Sequence, residues 1–135
     1  MSVYFDSSAL AKRYVLEQES DQARSLFETC NEPTISAIAI IEVRRIVGRF
    51  TGPMERVTAQ ALFNRDLELM SIIDVTPVIV ETAAEIAATS QLRTLDSIHL
   101  ASAMAAECTR IVTFDKRQAQ VARSLGILPM FPTHT

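Results

Sequence analysis

Short apolar runs alternate with amphipathic stretches along this chain, and that alternation constrains its fold more than any other feature. "SVYF" (2–5), "PTIS" (33–36), "IIDV" (72–75), "RIVTF" (110–114) and "ILPMF" (127–131) read as five strands. Between them, helical spacing of apolar residues covers 7–15, 20–30, 37–50, 54–71, 78–89, 95–107 and 116–125. Ser20 is a candidate N-cap with Asp21 in the first turn. Thr51, Gly52 and Pro53 form a break, Pro77 ends the third strand, and Gly126 stops the last helix as a left-handed cap. Strands joined through helices demand crossovers, so the predicted class is α/β, a parallel sheet covered by helices on both faces. Pro129 cannot donate to a ladder, which puts the last strand at an edge. The 135 residues are read as a single domain, 1–135.

A sheet of this class binds ligands in the crevice at the carboxyl ends of its strands, beside a topological switch point. Asp6 directly follows the first strand and Asp115 the fourth, so the two carboxylates share a crevice if those strands are neighbours. Glu42 lies inside "AIAIIEV", with Ile38 and Ala39 a turn before it and Ile46 a turn after. A glutamate on an apolar helical face needs a partner, and Arg45 is near enough in sequence to supply one. Asp96 opens the helix in "RTLDSIHLA", with Leu100 and Ala103 following on its stripe.

Each acid has a plain explanation taken alone. Asp6 and Asp115 can cap helices, Asp96 can favour a helix dipole, and Glu42 can pair with Arg45 at the surface. None of these explains why two strand-end acids and two acids on apolar helix faces should converge on one end of one sheet. Four acids without a histidine or cysteine pair suit a hard divalent cation, which takes oxygen ligands and shares them with substrate phosphate. Such sites polarise phosphoryl oxygens and activate water. The expected chemistry is metal-assisted hydrolysis of a phosphodiester or phosphomonoester.

Composition bounds the setting. Cys30 and Cys108 are too few for a disulfide framework and lack metal-ligand spacing, so both are read as small buried hydrophobes. The longest uncharged apolar runs, such as 37–41, are far shorter than a membrane span, and the N-terminus lacks signal-peptide features. A soluble cytoplasmic protein with no membrane partner is expected. The net charge of -3 argues mildly against a nucleic-acid partner. Setting the four acids aside as ligands brings the remaining charges close to balance and removes that objection. The bases are mostly arginine, whose fork suits phosphate. Arg13, Arg44, Arg45, Arg49, Arg93 and Lys116 lie near a proposed acid or its helix. Of these, Arg13, Arg44, Arg45, Arg93 and Lys116 are taken as candidate RNA contacts.

With these residues in place, the chain resembles a PIN domain of the VapC toxin type, from toxin–antitoxin pairs. Four stretches carry the resemblance in order: "VYFDSSAL", "SAIAIIEV" around Glu42, "LRTLDSIHLASA" around Asp96, and "IVTFDKRQAQVARSLGI" around Asp115. It covers essentially the whole chain. By resemblance, Asp6, Glu42, Asp96 and Asp115 form the acidic catalytic and metal-binding set. Ser8 and Thr113 fall at positions that help orient it. Lys116, directly after Asp115, is a candidate modulator of that last acid. The resemblance further implies a five-stranded parallel sheet in a three-layer α/β/α sandwich, Mg²⁺ or Mn²⁺ as cofactor, and endoribonuclease activity. It also implies a homodimer and a cognate antitoxin.

Rival readings stay in view. A haloacid-dehalogenase-like phosphatase also places an Asp after its first strand, but wants a second acid where Ser8 stands. A phospho-receiver wants paired acids after strand one and a lysine after strand five, whereas Asp6 stands alone and Lys116 follows strand four. A PIN scaffold that only binds is disfavoured by four intact acids. His99, three residues after Asp96, is read as a packed histidine near the site and not as a ligand, because imidazole suits softer metals. Asp74 is read as a strand-end residue, and His134 is set aside as terminal.

Overall fold

A computed structural model describes residues 2–131; His134 lies outside them. Five strands, β1 (Ser2–Phe5), β2 (Glu32–Ser36), β3 (Ser71–Ile73), β4 (Arg110–Val112) and β5 (Leu128–Phe131), alternate with helices. The helices are α1 (Ser7–Ala11), α2 (Ser20–Thr29), α3 (Ile38–Phe50), α4 (Pro53–Leu67), α5 (Pro77–Thr89), α6 (Thr94–Ala105) and α7 (Lys116–Ser124). The sheet order is β3-β2-β1-β4-β5 and every pairing is parallel.

The period of two along a strand splits the core into two layers. Phe5, Ile35 and Val112 face one side and pack with Leu10, Phe27, Val43, Val47 and Phe63 from α1 to α4. Tyr4 and Ile111 face the other side and pack with Ile79, Ala83, Leu100 and Ala122 from α5, α6 and α7. Both faces are covered, which is why β1 and β4 are largely apolar while β2 buries Thr34 and Ser36 beside Ile35. The result is the three-layer α/β/α sandwich with a five-stranded parallel sheet.

Connectivity locates the functional end. From β1 the chain moves outward through β2 to β3, then returns across the sheet to place β4 on the other side of β1. Right-handed crossovers in opposite directions put α1 to α4 on one face and α5 to α7 on the other. The reversal falls between β1 and β4, so the crevice expected from the switch-point rule opens at their carboxyl ends. The two strands are indeed neighbours, with Tyr4 paired to Ile111 and Phe5 to Val112.

Differences from the sequence reading sit at element ends and have local causes. The first helix stops at Ala11 instead of continuing to 15, and the next residues tighten into i→i−3 bonds, Arg13 N–H to Leu10 and Tyr14 N–H to Ala11. Lys12 pairs with Glu19 at 3.0 Å, while Arg13 and Tyr14 are both drawn to Asp66. Pro77 does not end the third strand, which stops at Ile73; it opens α5 at the first helical position, behind the Thr76 cap on the Ile79 N–H. The α4 helix ends at Leu67, four residues early, in a turn that feeds β3. Gly126 takes the left-handed conformation expected of it, at φ 84°, and the Ile127 N–H reaches back to the Ala122 carbonyl. No disulfide forms: Cys108 is buried, Cys30 partly so.

Candidate functional site

Asp6 leaves β1 as the sheet ends. Its N–H is held by the Val112 carbonyl at 3.2 Å, and its Oδ1 caps α1 by accepting the Ala9 N–H at 2.8 Å. The residue is 5% exposed. Burial pushes its carboxyl above the usual carboxylate range, and the nearby Asp96 adds to the push. Hydrogen bonds from Thr113 and Ala9 and the His99 ring oppose it. The cap reading of Asp6 is therefore correct but incomplete.

Glu42 comes from the first half of α3. Its partners are not Arg45, which is exposed, but Ser7 and His99. The Ser7 hydroxyl donates to Glu42 Oε1, and His99 Nε2 donates to the same oxygen at 2.8 Å. Burial alone would raise this carboxyl; the His99 and Ser7 bonds outweigh it and hold it below its ordinary value.

Asp96 sits in the first turn of α6 and is half-buried. Burial and then the Asp115 charge raise its carboxyl, with Glu42 contributing further; His99 and Arg93 pull the other way. Asp96 is thus the acid that feels each of the other three, since Asp6 in turn feels Asp96. Asp115 caps α7, its Oδ1 accepting the Arg117 N–H at 2.8 Å and the Gln118 N–H at 3.1 Å. Thr113, fully buried just past β4, ties the two strand-end acids together: it bonds to the Asp6 carboxyl, and its Oγ1 accepts the Asp115 N–H at 3.1 Å.

A family model described as PIN domain matches residues 3–124. The chain belongs to the PIN-domain family. It is similar to a protein named Ribonuclease VapC46 of Mycobacterium tuberculosis, 32% identical over 134 residues and covering 98% of both chains. Its fold is similar to that of the M. tuberculosis VapC20 crystal structure, described as a sarcin–ricin loop cleaving toxin, with a TM-score of 0.74 at 18% identity over 93% of this chain and 96% of that one. It is also similar to a chain in a toxin–antitoxin complex from Klebsiella pneumoniae, with a TM-score of 0.67 at 22% identity over 86% and 88% of the two chains. Membership of this family sets aside the phosphatase and receiver readings.

Within this PIN domain the serine that touches an acid is Ser7, one residue before Ser8. Ser7 is buried and bonds to Glu42, whereas Ser8 is exposed and lines a separate groove with Lys12, Val15, Leu16 and Phe50. Arg13 is also elsewhere. Its Nε donates to Asp66 Oδ2 at 2.8 Å, a second nitrogen donates to Glu28 at 2.9 Å, and the guanidinium lies 4.4 Å from the Phe27 ring centroid. Asp66 has no exposed surface and takes a further bond from the Tyr14 hydroxyl, so Arg13 braces α4 against the start of the chain and is left out of any RNA contact. Arg44 is exposed and donates to Asn64 at 3.0 Å. Arg93 and Lys116 lie beside two of the acids. With Gln91, Arg117 and Gln120 they line a cleft of about 610 Å³ that contains Asp96 and Asp115.

As they stand, no three His, Cys, Asp or Glu side chains among the described residues are close enough together to enclose a metal ion. Asp6, Glu42 and Asp115 each have an oxygen engaged by the protein itself, two in helix caps and one by Ser7 and His99. The donor set nonetheless fits a hard cation. It is all oxygen, and Asp6 and Asp96 are raised by burial and by neighbouring acids, a repulsion that positive charge would relieve. Asp74 is exposed just past the end of β3 and lies outside this set.

Proposed function

We propose that this chain is a Mg²⁺- or Mn²⁺-dependent endoribonuclease, the toxin of a toxin–antitoxin pair, acting as a homodimer in the cytoplasm. The observation that supports this reading is that Asp6, Glu42, Asp96 and Asp115 lie toward the switch-point end of the sheet, near enough for the Asp115 and Glu42 charges to raise Asp96 and for Asp96 to raise Asp6. The ribonuclease named among its relatives and the toxin–antitoxin complex among its structural neighbours support the substrate and the partner. Intact carboxylates at all four positions favour an active enzyme over a scaffold that only binds.

Asp6, Glu42, Asp96 and Asp115 would hold the cation. When bound, it supplies Lewis acidity toward a phosphoryl oxygen and an attacking water. The rest falls to the protein. Arg93 and Lys116 bind the RNA backbone along the cleft and set its register without reading its sequence. Arg44 and Arg45, exposed on the helix that carries Glu42, are further candidate backbone contacts. Thr113 holds Asp6 and Asp115 in relative position. The water oxygen bonds to phosphorus as one P–O ester bond breaks, and the water's protons end on solvent and on the leaving oxygen.

The purified protein is expected to cleave structured RNA in Mn²⁺ or Mg²⁺. Asp6→Ala is expected to abolish cleavage while circular dichroism shows an unchanged fold. Equal cleavage in excess EDTA overturns the metal mechanism.

A further inference from the structure

His99 is 2% exposed, yet three elements send polar groups to it. Its Nδ1 lies 2.6 Å from the Tyr4 hydroxyl in β1. Its Nε2 lies 2.8 Å from Glu42 Oε1 in α3 and 3.0 Å from Ser7 Oγ in α1. The Tyr4 hydroxyl in turn accepts the Ser36 N–H at the end of β2, at 3.1 Å. A carboxylate can only accept, so Nε2 carries a proton, while Nδ1 is held at the Tyr4 hydroxyl. Tyr4 also packs edge-on against the imidazole, with centroids 5.7 Å apart at 67°. The ring is pinned at both nitrogens and cannot turn without breaking both bonds.

We propose that His99 is a positioning residue for Glu42, and that the chain Ser36–Tyr4–His99 sets the direction in which the Glu42 carboxylate presents itself to the crevice. The inference rests on Glu42 belonging to the cation site. A histidine that only needed satisfying in the core would require no carboxylate from a half-buried helix face. Here both stabilising bonds, from His99 and from Ser7, fall on Oε1, and neither uses Oε2. A glutamate has three rotatable side-chain torsions, and fixing one oxygen removes most of that freedom before a cation arrives. The usual order, in which a carboxylate orients a metal-binding histidine, is inverted: a histidine orients a metal-binding carboxylate.

The two amide replacements of histidine separate the two ring nitrogens. His99→Gln places a donor near the position of Nε2 and keeps the Glu42 bond; His99→Asn places its amide near Nδ1 and keeps only the Tyr4 side. Mn²⁺ affinity of the full chain, measured by calorimetry, is read beside kcat and KM for RNA cleavage. We expect His99→Asn to weaken Mn²⁺ binding by about 10- to 100-fold, the range for groups that orient a ligand, and to lower kcat with little change in KM. His99→Gln is expected to stay within a few-fold of wild type, and His99→Asn added to Glu42→Ala to cost nothing further. Tyr4→Phe, which keeps the imidazole but removes its anchor, should give an intermediate loss and serves if His99→Asn folds poorly. Equal effects of Asn and Gln, or full additivity with Glu42→Ala, overturn the proposal. If Glu42→Ala weakens Mn²⁺ binding but His99→Asn and Tyr4→Phe do not, the positioning role alone falls. If Glu42→Ala binds Mn²⁺ as wild type does, Glu42 is not in the cation site and the proposal falls with that assignment.

Discussion

Burial holds the Asp6 and Asp96 carboxyls above the usual carboxylate range, so in the metal-free protein their ionisation works against the fold. An acid raised in the folded state contributes its stability below its unfolded pKa of about 4 and loses it as pH rises through the folded value. Glu42, held low by His99 and Ser7, has the opposite sign: its contribution is present above its unfolded pKa and is lost as pH falls through the folded value. Asp6→Asn isolates the first effect, because an asparagine oxygen can still cap the Ala9 N–H. In EDTA, urea unfolding should show Asp6→Asn more stable than wild type near pH 7, with the gap closing below about pH 4. A gap that is constant with pH would mean Asp6 ionisation carries no folding cost. At this scale the acids were legible in sequence because each breaks a local pattern, a carboxylate after an apolar strand or on an apolar helix face. Their supports were not. Tyr4 and His99 meet across 95 residues, and no local spacing marks a tyrosine in a strand as the anchor of a histidine in a helix. Ser7 and Ser8 are adjacent and chemically identical; only the direction in which α1 leaves Asp6 decides which one is buried beside Glu42.

At the scale of elements, the alternation of strands and helices survived intact, and the strand-four and strand-one ends did meet. What moved were boundaries, wherever a distant partner outweighed local preference. Asp66 on α4 is the clearest case. Its buried carboxylate draws Arg13 and Tyr14 out of helical register and ends α1 early. Likewise Thr113 and Phe114, β-favouring by type, lie past the end of β4, where Thr113 bonds to Asp6 and Asp115 instead of extending the ladder. Glycine was a dependable local signal. Gly126 sits at φ 84° with no atom within 4 Å of where a Cβ would stand, so Gly126→Ala carries conformational strain and no clash. It should cost about 1–2 kcal/mol of stability by denaturant unfolding, with cation affinity unchanged. A much larger loss would point to packing that the open space around it does not suggest.

For the whole molecule, the order β3-β2-β1-β4-β5 explains why residues as far apart as Asp6 and Asp115 come to the same end of the sheet: the sheet reverses direction between the strands that carry them. The resemblance implied five parallel strands but not their order, since periodicity alone cannot say which strands are neighbours. No helix among the described residues is long and apolar enough to cross a membrane. If the chain is one half of a toxin–antitoxin pair, the product of an adjacent small gene should co-purify with it, and its expression alone should arrest growth unless Asp6→Asn is present. Arrest that Asp6→Asn does not relieve would contradict the nuclease reading.

The central claim is that four carboxylates at the switch point act as one cation-dependent site for RNA cleavage, with Asp96 linked to the other three. The most direct test is the rate of RNA cleavage in Mn²⁺ by Asp96→Asn, which removes one charge at nearly constant shape from a half-buried position. The account predicts a fall in kcat/KM of at least about a hundredfold, beyond the range for groups that only orient ligands, with the thermal midpoint preserved. Cleavage at the wild-type rate by a folded Asp96→Asn protein would contradict it.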